Sequence, residues 1–128
     1  MKYLSSKKGF LGIDAEQSKS PQVIVVPFGL EKTVSYGGGT KNGPKEIIKA
    51  SHQVELYDEE LKCEPYKKIG IKTLKPFKIN KNINKAINQI AEVNKKILDI
   101  CKYYFRTDPV LTNVGVRSEE HTSELQSR

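Results

Sequence analysis

Residues 33–51 read TVSYGGGTKNGPKEIIKAS, a glycine-rich loop that leads directly into a helix. Glycine permits the positive φ angles that a tightly folded loop requires. Pro44 suits the first helical turn, because the N–H that it lacks has no partner there in any helix. Glu46 follows in that turn, where the helix dipole favours negative charge. We therefore predict a helix over residues 44–53. Its predicted inward face consists of residues at helical spacing: Ile47, Ile48, Ser51 and Val54.

The residues around this loop predict three short strands. Residues 21–28 read PQVIVVPF, and a continuous β-branched run bounded by prolines is typical of a strand buried on both faces. This strand should end near Pro27, because proline cannot donate to a ladder. After a charged connector over residues 54–67, alternation at Ile69 and Ile71 predicts a second strand, ended by Pro76. A third strand is predicted within residues 109–116.

The longest periodic segment is residues 82–105, where apolar side chains recur every three or four positions. Asn82 suits the N-cap, and most lysines lie off the apolar stripe. This pattern predicts an amphipathic helix that covers one face of a sheet. Strands that alternate with helices of this length indicate βαβ units, so the predicted fold class is α/β with a mostly parallel sheet.

Composition and charge narrow the function classes. The chain has 128 residues, 37% of them hydrophobic, and a net charge of +7, which fits a globular domain with a lysine-rich surface. The nearest basic and aromatic cluster is residues 102–106, where helix packing explains the aromatic side chains. We therefore expect no nucleic-acid partner. The absence of a signal-like or membrane-spanning apolar run predicts a soluble, cytoplasmic protein without a membrane partner. Residues 1–20 are predicted to form an extended N-terminal arm.

Each catalytic or cofactor-binding pattern that the sequence suggests lacks a required residue or spacing. Gly38 and Gly43 have the spacing of a phosphate-binding P-loop, but Pro44 stands where lysine is required. The glycines also have the wrong spacing for a dinucleotide fingerprint. Outside residues 117–128, His52 is the only histidine, and a position near a helix C-terminus explains it better than catalysis. The aspartates are scattered, and Cys63 and Cys101 form no metal-like or redox spacing.

Residues 117–128, RSEEHTSELQSR, differ sharply from the rest of the chain, with Leu125 their only apolar residue. The string resembles the in-frame translation of a common sequencing-library adapter. We therefore interpret it as a non-native tail and exclude His121 from any site. On this interpretation the native sequence is read only to about Val116, and its continuation is missing.

The segment VIVVPFGLEKTVSYGGGTKNGPKEIIKAS resembles the N-terminal part of the ureohydrolase (arginase/agmatinase) family, most closely the agmatinases. A strand ending in a proline-containing turn is followed by an SY-x-x-G-T-x-x-GP loop and a helix with the pattern xxIxxAS. The residues that match the loop and helix patterns are Ser35, Tyr36, Gly39, Thr40, Gly43, Pro44, Ile47, Ala50 and Ser51. The connector from Glu55 to Glu60 also resembles that of the family, and the likeness covers roughly residues 20–100.

The resemblance implies a three-layer αβα sandwich, of which residues 21–116 would form the N-terminal part. It implies a homo-oligomeric enzyme in which two manganese ions activate a water that attacks a guanidinium carbon and releases urea. For an agmatinase the substrate is agmatine and the other product is putrescine, a step of polyamine biosynthesis. The family's metal motifs, of the types GGDH, DAHxD and SxDxD, do not occur in these 128 residues. We therefore assign no catalytic or metal residue, expect no bound manganese, and expect this chain to be inactive.

One loop can still be assigned through the resemblance. Residues Tyr36, Gly37, Gly38, Gly39 and Thr40 are expected to lie at the mouth of the substrate site or at a subunit contact. The alternative functions are a small basic nucleic-acid-binding module and a phosphate-loop nucleotide-binding module. The first predicts salt-sensitive oligonucleotide binding, and the second predicts stabilisation by ATP or a dinucleotide.

Overall fold

The structure, a computed structural model, describes residues 2–14, 21–31, 39–105 and 110–114. Within these residues, three strands and three α-helices follow in the order β1 Val23–Pro27, α1 Gly43–Ser51, α2 Pro65–Ile69, β2 Ile71–Thr73, α3 Ile83–Ile100 and β3 Val110–Val114. Short 3-10 helices lie at Phe10–Gly12 and Thr40–Asn42, and a π-helical turn, Cys101–Phe105, continues α3. The predicted α/β class is confirmed.

The three strands form one parallel sheet in the order β2-β1-β3. Val23 of β1 pairs with Ile71 of β2 on one side and with Val110 of β3 on the other. β1 is the central strand, and its consecutive side chains Ile24, Val25 and Val26, which point alternately to the two faces of the sheet, are all buried as the apolar run predicts. Pro27 is the last residue of β1, at the predicted position.

The main core lies between α3 and one face of the sheet. Its buried members are Ile24, Val26, Phe28, Leu30, Leu74, Ala86, Ile90, Ile97 and Cys101. Successive strand residues point to opposite faces, so Val25 faces the other side of the sheet and lies outside this cluster. Asn82 caps α3 as predicted, since its Oδ1 accepts a hydrogen bond from the backbone N–H of Lys85 at 3.1 Å. Apolar burial on both faces of β1 is what a layered αβα arrangement requires.

Two details of the helices differ from the sequence prediction. On α1, Ile48 and Ser51 are buried, but Ile47 is 46% exposed. Val54 lies beyond the end of α1 and is 54% exposed. The inward face of α1 is therefore narrower than the apolar pattern predicts, since β3 and the 3-10 helix Phe10–Gly12 cover only one side of this nine-residue helix. The predicted connector also contains α2, which begins at Pro65 and takes Ile69 out of the second strand.

Residues 2–14 pack against the domain, so the prediction of an extended arm is wrong for this part of the chain. Tyr3 forms an antiparallel bridge with Leu74, and Ile13 is only 3% exposed. The division of the chain into residues 1–20, 21–116 and 117–128 stays a prediction, and residues 117–128 lie outside the described part. Among the described residues, no helix combines the length and the apolar character that crossing a membrane demands.

Candidate functional site at the carboxyl end of the sheet

The topology directs attention to the segment that follows β1. In open parallel α/β sheets, ligands bind beyond the carboxyl ends of the strands, where successive connections leave in opposite directions. The order β2-β1-β3 places such a point at the central strand, because β2 and β3 lie on opposite sides of β1. The chain that leaves this point, residues 28–42, contains the glycine-rich loop.

Both ends of this loop lie within the described residues, and they contact each other. The carbonyl oxygen of Lys41 lies so close to Gly29 that an added Cβ would approach it to 2.2 Å. A carboxylate oxygen of Glu31 accepts a hydrogen bond from the backbone N–H of Gly39. The two ends of the loop therefore lie side by side, and we call these contacts between residues 29–31 and 39–41 the loop base.

The structure describes two of the five predicted site residues, Gly39 and Thr40. Tyr36, Gly37 and Gly38 lie outside the described residues. Gly39 has a φ angle of 117°, in the region that favours glycine, and Thr40 begins the 3-10 helix that leads into α1. The assignment of these five residues to a substrate mouth or a subunit contact stays a prediction.

An open cleft of about 600 Å³ lies beside this loop base, which is within the size range of small-molecule sites. Its floor includes Pro27 at the end of β1, Ile48 of α1, and Pro76 and Phe77 after β2. The cleft is therefore at the carboxyl end of two neighbouring strands. Basic side chains also line it: Lys8, Lys41, Lys45, Lys49 and His52. We call this feature the basic cleft.

Residues 9–12 are fastened beside the cleft by polar groups of α1 and β2. The Oγ of Ser51 accepts a hydrogen bond from the N–H of Leu11 at 2.9 Å, and the Oγ1 of Thr73 accepts one from the N–H of Phe10 at 2.8 Å. His52, the C-cap of α1, donates from Nε2 to the carbonyl of Gly9 at 2.9 Å. His52 thus has a structural partner as well as the helix-terminal position that the sequence predicted. No sequence pattern indicated these long-range contacts.

The described residues do not fit a manganese centre. Among them no three His, Cys, Asp or Glu side chains come together as a group that could hold a metal ion. His52 lies in the basic cleft among lysines, where a cation would be repelled. We therefore derive no catalytic step through a metal in this part of the chain.

Cys101 is equally unsuited to covalent chemistry. It is fully buried in the core, and this burial raises the pKa of its thiol, while Lys72 lowers the pKa in part. Burial also raises the pKa of the nearby Tyr3 hydroxyl, with a smaller contribution from Cys101. Since the thiolate is the reactive form, a buried thiol with a raised pKa stays protonated and inert near neutral pH.

These features define a parallel α/β domain with a long loop at the carboxyl end of its central strand. Comparison with known proteins then identifies the family. The profile of the Arginase family matches residues 21–105, which include β1, α1, α2, β2, α3 and all the buried residues of the main core. The chain belongs to the arginase family.

A curated relative extends this result. The chain is 42% identical over 77 residues to a protein from Synechocystis sp. named N(1)-aminopropylagmatine ureohydrolase. The matched segment is 59% of this chain and 25% of that relative, so the match spans about a quarter of the relative's length. No solved structure gives a significant match. The resemblance to the ureohydrolase family that the loop and helix motif indicated is confirmed.

Proposed function

We propose that this chain is the N-terminal part of a ureohydrolase that releases urea from agmatine or from an agmatine carrying a substituent on nitrogen. The match to the Synechocystis relative supports this proposal most directly. The two sequences are 42% identical over 77 residues, and that protein is named for N(1)-aminopropylagmatine, an agmatine with a substituent on nitrogen. The match to the Arginase family adds support, since it includes the loop and α1 at the carboxyl end of β1.

Agmatine itself is our first candidate substrate, with putrescine as the second product. The name of the relative adds N(1)-aminopropylagmatine as a second candidate. Both compounds carry a guanidinium group and at least one further amine, so both are cations near neutral pH. Their site must therefore supply negative charge, which the described residues that line the basic cleft do not offer.

We propose further that the whole enzyme depends on manganese and is a cytoplasmic homo-oligomer, whereas this 128-residue chain alone is inactive. A guanidinium carbon is a poor electrophile, and manganese would supply a hydroxide near neutral pH. The family's metal motifs do not occur in the sequence of this chain. Residues 36–40 would then border the substrate site or a neighbouring subunit.

The test compares the 128-residue chain with a chain extended by reading the source gene past Val116. Each is incubated with Mn²⁺ and with agmatine, N(1)-aminopropylagmatine or arginine, and urea is measured. We expect urea from the extended chain with one of the first two compounds and none from the 128-residue chain. Urea from the shorter chain would overturn its proposed inactivity. A stop codon directly after Val116, or an extended chain without activity on all three compounds, would overturn the proposed enzyme.

A further inference from the structure

Several cationic side chains, and no anionic ones among the described residues, line the basic cleft. Lys45 and Lys49 lie one helical turn apart on α1 and so share a side of it. Lys41, in the preceding 3-10 helix, comes four residues before Lys45 and lines the same cleft. Lys8 reaches the same cleft from the fastened N-terminal segment. Among the described residues that line the cleft there is no Asp or Glu.

These four lysines also lack carboxylate partners within the described residues. Within the described part of the chain, the ion pair that forms joins Lys67 to Glu64, and neither residue lines the cleft. Residues 55–68, by contrast, combine five acidic residues with three basic ones. Unpaired like charges around a concave surface reinforce one another and attract anions to it. The cleft is therefore a local positive field, in addition to the general lysine excess of the surface.

The floor of the cleft has a different character from its rim. Proline and aliphatic side chains and one aromatic ring form it: Leu4, Pro27, Pro44, Ile48, Pro76, Phe77 and Ile79. Phe77 is held in place by a tilted contact with the buried ring of Phe28, at 6.0 Å between centroids. An apolar floor below a cationic rim is complementary to a molecule with an apolar body and an anionic end.

We propose that the basic cleft binds a small amphipathic anion, whose carboxylate or phosphate group lies among Lys41, Lys45 and Lys49 and whose apolar body lies on Phe77 and Ile79. This inference goes beyond the proposed ureohydrolase function, because the guanidino substrate is a cation and the cleft disfavours it. It does not require the chain to be active, so either proposal can fail without the other.

The test is an NMR titration of the 128-residue chain with octanoate and with octyl phosphate, at low ionic strength. Both probes have the proposed chemistry, and their comparison separates the two anionic groups. We expect saturable amide shifts confined to residues 41–49 and 76–79, with dissociation constants of about a millimolar. Octanol has the same chain without charge and should bind at least about fivefold more weakly. Octylammonium has the opposite charge and should not bind at the cleft.

A matched pair of variants tests the role of the rim. Lys45→Gln with Lys49→Gln removes two charges from the cleft, whereas Lys95→Gln with Lys96→Gln removes two exposed charges from α3 outside it. We expect the first pair to weaken octanoate binding about fivefold to tenfold, and the second to change it less than twofold. Far-ultraviolet circular dichroism confirms that both variants remain folded.

Three results would overturn the proposal. The first is equal weakening by the two variant pairs, which would mean a general charge effect. The second is equal binding of octanol and octanoate, which would mean that the lysines do not contribute. The third is a single-stranded oligonucleotide that shifts the same amides while both octyl anions leave them unchanged. That outcome would assign the positive field to nucleic acid.

Discussion

The backbone carbonyl of Lys41 lies directly against Gly29, at a distance where no other residue type fits. A Cβ on Gly29 would lie 2.2 Å from the Lys41 oxygen and 2.9 Å from its carbonyl carbon. Gly29 follows the central strand by two residues, and Lys41 precedes α1 by two, so this contact closes the base of the loop. The requirement is steric, because the neighbouring atoms are backbone and cannot rotate away.

Gly29→Ala should therefore destabilise the protein by about 1–3 kcal/mol, the usual cost of forcing extra volume into a packed site. Gly43→Ala is the matched control, since a Cβ on Gly43 meets no described atom within 4 Å. At the start of α1, alanine should be neutral or slightly stabilising. Urea denaturation of the two variants measures the difference. Equal unfolding midpoints would contradict the close approach of Lys41 to Gly29.

Adjacent isoleucines on α1 provide a second matched pair. Ile48 is 7% exposed and Ile47 is 46% exposed, although the two side chains have the same composition. Ile48→Ala should cost about 2–4 kcal/mol of unfolding free energy, because it empties a buried site. Ile47→Ala should cost less than about 1 kcal/mol, because nearly half of the Ile47 side chain is exposed to water and its loss leaves no closed cavity. Urea denaturation measures the loss of unfolding free energy in both variants. A larger loss for Ile47→Ala than for Ile48→Ala would mean that α1 is rotated about its axis, with Ile47 towards the core.

The difference between these isoleucines shows what the sequence could predict. Local patterns identified β1, α3 and the start of α1, because β-branched runs, helical periodicity, Asn82 and Pro44 act through nearby residues. The pattern at Ile47, Ile48 and Val54 could not reveal which side of α1 the sheet covers. That choice depends on β3, which is some sixty residues away in the chain.

The site shows the same limit. The family likeness located the glycine-rich loop, because its residues are consecutive in the sequence. The basic cleft combines Lys8 with residues 41–52 and 76–79, and no local pattern announces contacts between segments so far apart. The fastening of residues 9–12 by Ser51 and Thr73 escaped prediction for the same reason, and an extended arm was predicted instead.

Removing the fastening should release the N-terminal segment. Thr73→Val keeps the volume of the side chain but leaves the N–H of Phe10 without its acceptor, at a cost of about 1–3 kcal/mol. Ser51→Ala does the same to Leu11. Hydrogen exchange at Phe10 and Leu11 should accelerate in the respective variants. Ser5→Ala is the control, because Ser5 contributes its backbone carbonyl to the turn. Unchanged exchange in both variants would show that these hydroxyls do not hold the segment.

The two cysteines should differ in reactivity towards iodoacetamide. Cys63 is partly exposed, whereas Cys101 is fully buried and its burial raises the pKa of the thiol. At pH 8 we expect one alkylated cysteine in the native protein, Cys63, and two after addition of denaturant. Peptide mass spectrometry identifies the modified residue. Alkylation of Cys101 at the rate of Cys63 in the native protein would contradict its burial.

The same burial should make stability depend on alkaline pH. A raised pKa in the folded state means that the folded protein favours the neutral thiol. Below the ordinary thiol pKa of 9.0 both states are neutral and stability is unaffected. Above it the unfolded chain ionises first, so the free energy of unfolding falls as pH rises towards the folded pKa. Thermal unfolding of Cys101→Ala between pH 7.5 and about 9.5 should therefore show a flatter decline than the parent protein, despite a lower starting value. A Cys101→Ala profile parallel to that of the parent would mean that this thiol ionises equally in both states.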